Sequence, residues 1–411
     1  MRQFNVPEQY QSPLVSAIKQ ERKAADKMKK DYDPTHLKMG KLEILLARHF
    51  GFCYGVENAI EIAFNAVFEN KGKNIYLLSE MIHNPGVNKD LSDLGVRFIM
   101  DTKGKMLIDW DAITADDIVI IPAFGTTLEL EDLLINKGIN PTRYETTCPF
   151  VEKVWNRAEK IGKDGYTIVI HGKPGHEETR ATFSHSNAHT PTVVVKDIEQ
   201  AQHLAKYIKK ELPVEQFFID FKGLYSANFN PIEHLQRIGV VNQTTMLASE
   251  TQAIAEYLKT EITGFYSVTG NAIQERFADT RDTLCYATND NQTAVSTMLE
   301  SQADLALVIG GYNSSNTSHL VELCELKLPT YFIKDEHCIT NDGSLIHFDL
   351  HSATEQQTAG IFEPGKSYKV MITSGASCPD ALVERVMLRL SMILGESNNF
   401  EAIKMKYISL R

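Results

Sequence analysis

Three times along the chain a cysteine stands just before a run of helical spacing, and a strand and polar loop follow at a nearly constant distance. The segments are "LARHFGFCYGVENAIEIA" around Cys53, "TRYETTCPFVEKVWNRAEKIG" around Cys148 and "TRDTLCYATNDNQTAVSTMLE" around Cys285. After Cys53 the apolar residues Val56, Ile60, Phe64 and Val67 recur at helical intervals. Val151, Val154, Ala158 and Ile161 do so after Cys148, and Ala294, Val295, Met298 and Leu299 after Cys285. A short apolar strand comes next, with His83 thirty residues after Cys53, His176 twenty-eight after Cys148 and Ser314 twenty-nine after Cys285. A second strand closes each unit in small or hydroxyl residues: Thr126 and Thr127, Thr244 and Thr245, Ser374 and Ser377.

Helices alternating with short apolar strands predict parallel α/β units. In such sheets ligands bind beyond the carboxyl ends of the strands, where these polar loops lie. The expectation is therefore an α/β fold of three similar domains with mostly parallel sheets, meeting in a pseudo-threefold arrangement. The predicted domains are 42–145 (Cys53), 146–282 (Cys148) and 283–390 (Cys285). Residues 1–41 form a partly helical, solvated extension, and 391–411 a short polar tail.

A chain of 411 residues is long enough for several cores. With 42 basic against 53 acidic residues its net charge is −11, and no basic stripe compensates, which argues against nucleic acid. No apolar run is long enough to span a bilayer, so no membrane partner is expected. The N-terminus lacks the apolar core of a signal peptide and carries both acids and lysines, which predicts a cytoplasmic protein. An anionic small molecule remains compatible with the acidic balance, because helix N-termini and a few placed side chains bind anions locally.

The six cysteines form no CxxC pair. A metal site must therefore collect them from far apart. A lone cysteine is most simply a small core hydrophobe. Cys324, on the apolar face of "HLVELCELKLP", fits that reading, and Cys338 sits in the polar stretch "DEHCITND" with no evident partner. Cys53, Cys148 and Cys285 differ because they share a position. A helix N-terminus lowers a thiol's pKa, and the thiolate is the form that binds metal. Three ligands without a fourth in register leave one coordination position open, as chemistry requires. Cys378 in "GASCPD" is a weaker candidate for a fourth, since it is not at an equivalent helix start.

The loop "HGKPGHEET" gathers His171, His176, Glu177 and Glu178. Its His-x-Glu spacing matches zinc deaminases, whose Glu moves protons, but the P-C-x-x-C that follows in them is missing. "GGYNSSNTSH" offers Asn313, Ser314, Ser315 and Asn316, groups suited to phosphate oxygens and equally to an ordinary capped turn. Neither GxxxxGK[ST] nor GxGxxG occurs, so a nucleotide is not indicated.

Taken in order, "GFCYGVENAI", "TTCPFVEKVW", "GHEET", "NQTT", "CYATNDNQ", "NSSN" and "SGASCPD" resemble the 4-hydroxy-3-methylbut-2-enyl diphosphate reductase (LytB/IspH) family over about residues 42–390. The N-terminal extension and "PAFG" look like the longer plant and cyanobacterial type. The resemblance implies three α/β domains around a central [4Fe–4S] cluster, with Cys53, Cys148 and Cys285 as its ligands. It implies a last step of the methylerythritol phosphate route to isoprenoids. In that step two electrons and two protons expel the substrate hydroxyl as water, and isopentenyl and dimethylallyl diphosphates leave. By resemblance His83, His176, Ser314, Ser315, Asn316 and Ser377 hold the diphosphate, Glu178 serves the proton relay and Thr244 lies by the substrate hydroxyl. A ferredoxin or flavodoxin-type donor is the implied partner. One departure is Phe124 in "PAFGTT", where short bacterial members often have His, so no diphosphate contact carries over there. Two other readings of the residues stand beside this one: a zinc hydrolase or deaminase using Cys ligands, His176 and Glu178, and a non-enzymatic iron–sulfur carrier or sensor closed by Cys378.

Overall fold

The computed structural model describes residues 4–28, 30–278, 283 and 285–409. Its strands are β1 (Thr35–Met39), β2 (Leu42–Leu46), β3 (Ile75–Leu77), β4 (Arg97–Phe98), β5 (Ile118–Ile120), β6 (Thr167–His171) and β7 (Thr192–Val195). There follow β8 (Ile238–Asn242), β9 (Leu305–Ile309), β10 (Thr330–Ile333), β11 (Leu345–Asp349), β12 (Thr354–Thr358) and β13 (Tyr368–Ser374). They form three sheets, in the orders β1-β2-β13-β9-β10-β11-β12, β4-β3-β5 and β7-β6-β8. The two small sheets are wholly parallel, and so is the centre of the large one from β2 to β10, while its edges are antiparallel hairpins. Each repeat thus has a sheet of its own, as expected of three α/β domains.

The chain separates into two compact units. One comprises Met1–Glu57, His83–Val87 and Tyr286–Arg411 and contains the seven-stranded sheet. The other comprises Asn58–Ile82 and Asn88–Cys285 and contains both three-stranded sheets. The expected boundary at residue 282 lies outside the described residues.

The strand that leads to each cysteine joins the sheet of the preceding repeat. Glu145 bridges in parallel to Ile121 at the end of β5, and Phe277 to Ile238 of β8. For the first repeat, β2 pairs in parallel with β13 of the last. Local periodicity cannot show this, because pairing partners are chosen by tertiary packing.

The helices form where the spacing predicts. Pro149–Lys163 begins with Pro at its first position, carries Glu152 in its first turn and Lys160 and Lys163 in its last, and buries Val151, Val154, Ala158 and Ile161. The strands it covers, β6 and β8, are buried at every residue, as strands faced on both sides must be.

Both chain ends depart from expectation. The N-terminal stretch is not merely solvated: the helix Pro13–Ala25, capped by Ser12, buries Leu14, Val15, Ala17 and Ile18. Leu14, Val15 and Ile18 form one apolar stripe that joins the core of the first unit. The C-terminal segment is a helix, Ser397–Ser409, with Phe400 in the same core.

Candidate functional site

Cys148 caps the helix Pro149–Lys163, accepting at its carbonyl from Val151 and Glu152 N–H. Cys53 likewise accepts from Glu57 N–H at 2.9 Å, one residue before the helix Tyr54–Glu69. Cys285 directly precedes Tyr286–Met298. Two of these backbones are tied to strand-end loops. Cys53 N–H donates to Ala376 O at 3.3 Å and Cys148 N–H to Ala123 O at 3.0 Å. Cys53 and Cys148 are only half-buried, whereas Cys285 is buried.

The other three thiols lie in the core of the first unit. Burial pushes Cys324 and Cys378 up to about 12. Cys338 corrects the polar-loop expectation: it is 2% exposed, its thiol is raised by burial, and Tyr312 Oη lies 3.9 Å from its Sγ. Within neither unit do the described residues gather three His, Cys, Asp or Glu side chains as a metal ion requires.

In the first unit, three segments bring most of the expected diphosphate residues together. Ser314 caps the helix Ser315–Glu325, whose first turn of Ser315, Asn316 and Thr317 is buried although wholly polar. Ser377 donates to the carbonyl of buried His83 at 3.1 Å, and its Oγ is 3.5 Å from Ser314 Oγ. Asn316 Oδ1 accepts from Ala376 N–H at 2.9 Å, so the two strand-end loops are bonded to each other and, through Ala376 O, to Cys53. Gly311 is required here: a Cβ would come within 2.5 Å of His83 O.

In the second unit, His176 caps the helix Glu177–Asn187, its Nδ1 accepting from Glu178 N–H at 3.2 Å. An accepting nitrogen carries no proton, so the neutral ring holds its proton on Nε2. The ring of Phe124 stands edge-on to that of His176 at 5.5 Å. The adjacent carboxylates diverge. Glu178, 1% exposed, accepts from Thr244 Oγ1 at 2.9 Å and from Thr244 N–H. Glu177, also buried, accepts from Ser79 Oγ at 2.7 Å. His171 is fully buried beside Thr251, its Nδ1 2.8 Å from the hydroxyl.

Sequence reasoning passed over two residues. Ser79 holds Glu177 in place. Gln243, fully buried in "NQTT", accepts from Lys173 N–H and Thr179 Oγ1 and donates to Thr245 Oγ1, fixing the "GHEET" loop against the residue after Thr244. An amide between two strand-end motifs was the available signal.

A family model described as LytB protein matches residues 44–391. The chain belongs to the LytB family. A relative from a Synechococcus strain, named 4-hydroxy-3-methylbut-2-enyl diphosphate reductase, is 38% identical over 93% of this chain and 90% of its own length. One of the same name from Prochlorococcus marinus is 38% identical over 93% and 91%. Among solved structures, the E-1-hydroxy-2-methyl-but-2-enyl-4-diphosphate reductase of Plasmodium falciparum has a TM-score of 0.59 at 22% identity, covering 85% of this chain and 87% of that one. That of an (E)-4-hydroxy-3-methyl-but-2-enyl diphosphate reductase has a TM-score of 0.50 at 24% identity, covering 85% and 99%. These structural likenesses establish that this LytB chain shares their fold.

Proposed function

We propose that this chain is a 4-hydroxy-3-methylbut-2-enyl diphosphate reductase that yields isopentenyl and dimethylallyl diphosphates in the methylerythritol phosphate pathway. The observation that carries the reading is the convergence of Ser314, Asn316 and Ser377, with the His83 backbone, from three separate segments onto one buried, hydroxyl-lined helix N-terminus. Buried polar side chains on a first turn, with backbone N–H groups beside them, suit a diphosphate.

Cys53, Cys148 and Cys285 are the proposed ligands of a [4Fe–4S] cluster, within the three-domain division at 145 and 282 and its pseudo-threefold plan. Their shared place at helix starts suits thiolate ligation of iron, although Cys285, unlike Cys53 and Cys148, is buried. Such a cluster supplies electrons singly and a Lewis-acidic iron for the leaving oxygen.

The side chains do the rest. His176 Nε2–H and the Ser and Asn groups offset diphosphate charge in an acidic protein. Glu178 delivers the proton that the departing oxygen needs, and Thr244 holds that carboxyl in place while facing the substrate hydroxyl. Phe124 supports the His176 ring by its edge instead of adding a contact of its own. A ferredoxin or flavodoxin-type protein supplies the electrons, and the cytoplasm is the proposed compartment. No helix among the described residues is long and apolar enough to cross a membrane.

The test is an anaerobic assay of substrate consumption with a chemical reductant. Formation of both five-carbon diphosphates is expected. A brown protein that consumes no substrate would favour a carrier or sensor, and a colourless metalloprotein a zinc enzyme.

A further inference from the structure

Behind Ser315 stands a buried histidine that the reading above leaves unused. Ser315 opens the helix Ser315–Glu325, His319 follows one turn later and Glu322 three residues after that, so all three lie along one face. His319 is 3% exposed. Its Nε2 is 3.4 Å from Ser315 Oγ and its Nδ1 is 2.7 Å from Glu322 Oε2. The Glu322 side chain is 44% exposed, so the row runs from solvent to the proposed diphosphate residues.

The direction of these bonds follows from what each atom can do. A carboxylate only accepts, so Glu322 fixes a proton on Nδ1. The state of Nε2 then decides where Ser315 points. A bare Nε2 draws the hydroxyl proton toward the ring and leaves oxygen lone pairs facing an incoming phosphate oxygen. A protonated Nε2 donates to Ser315 Oγ and frees its O–H for the ligand. An arriving phosphate oxygen can only accept, so it selects the second arrangement, in which Ser315 presents its O–H to the ligand.

We propose that His319, oriented by Glu322, is a positioning residue that turns the Ser315 hydroxyl toward the substrate diphosphate. The inference rests on the diphosphate reading of this loop and deepens it.

Binding of inorganic diphosphate and steady-state kinetics would be measured on the cluster-loaded protein. His319→Phe should raise the diphosphate Kd and the substrate KM roughly tenfold, the scale of a charge-assisted hydrogen bond, with little change in kcat. His319→Gln, which presents an N–H near the Nε2 position, should recover much of that loss. Because His319 acts through Ser315, His319→Phe should add little once Ser315 is Ala. Glu322→Gln at the surface leaves the core untouched and should raise KM two- to threefold, which keeps the test open if His319→Phe folds poorly. Unaltered KM in Glu322→Gln, or His319→Phe and Ser315→Ala effects that simply add, would overturn the role of His319 alone. A wild-type protein that bound no diphosphate would overturn the site reading together with it.

Discussion

The six cysteines divide into two groups of three by where the fold places them. Cys324, Cys338 and Cys378 are sealed in the core of the first unit, where burial raises their thiols and keeps them protonated. Cys53, Cys148 and Cys285 stand at helix starts, the first two half-buried and the third buried. Composition is silent on this difference, which comes from position alone.

The contrast breaks most visibly by substitution. Serine at Cys53, Cys148 or Cys285 should abolish the brown absorbance or the activity of anaerobically purified protein. Cys378→Ser puts a hydroxyl in a fully buried site and should lower stability by about 1–3 kcal/mol, read from denaturant midpoints, with absorbance retained. Loss of absorbance in Cys378→Ser would make it a ligand and close the open site.

A second pair sharpens the argument within one loop. Glu177 and Glu178 are adjacent and both buried, yet one binds Ser79 and the other Thr244. Glu178→Gln keeps size and hydrogen bonding but has no carboxylic proton, so turnover should fall by about two orders of magnitude. Substrate loading and cluster absorbance should survive. Glu177→Gln should retain far more activity. If it were the inactive variant instead, the relay would run through Ser79.

Much of this was legible in the sequence because it depends on local pattern. The helices after Cys53, Cys148 and Cys285, and the capped turn at Ser314, follow from apolar spacing and polar punctuation. What escaped depends on pairing across long separations. Nothing near β2 says that its partner is β13, over three hundred residues away. Residues 1–41 read as solvated because their apolar stripe is short. Leu14, Val15 and Ile18 are buried only because the first unit offers a matching face.

The proposed diphosphate loops invite a subtler test, because the proposal gives Asn316 two jobs to separate. Its Oδ1 holds Ala376 N–H, and Ala376 O in turn holds Cys53 N–H. Asn316→Ala would disturb both loop and ligand. Asn316→Asp keeps the acceptor for Ala376 while removing the Nδ2 donor and adding a negative charge. Diphosphate binding should weaken by roughly 1–3 kcal/mol with the cluster spectrum unchanged. An unaltered affinity would remove Asn316 from the site.

The smallest effect concerns how the Cys53 and Cys148 loops are held. The Cys148 loop is stiffened from within, by Pro149 and by Thr147 Oγ1 donating to Glu145 at 3.0 Å. The Cys53 loop is braced by the N-terminal segment. Tyr10 packs on Phe52 at 5.9 Å, Phe4 on Tyr54 at 4.8 Å, and Lys19 Nζ lies 4.6 Å over the Phe50 ring while pairing with Asp380 at 2.7 Å. Lys19 is partly exposed, so its ion pair and ring contact together contribute only about 1 kcal/mol. Lys19→Met keeps the aliphatic stem and removes the charge. It should lower the melting temperature by a few degrees at most, and the effect should shrink in high salt, where the wild-type pair is screened as well. In apoprotein the alkylation rate of Cys53 should rise modestly while that of Cys148 stays constant. Equal acceleration at both thiols would mean that the segment stabilises the protein generally and braces neither loop in particular.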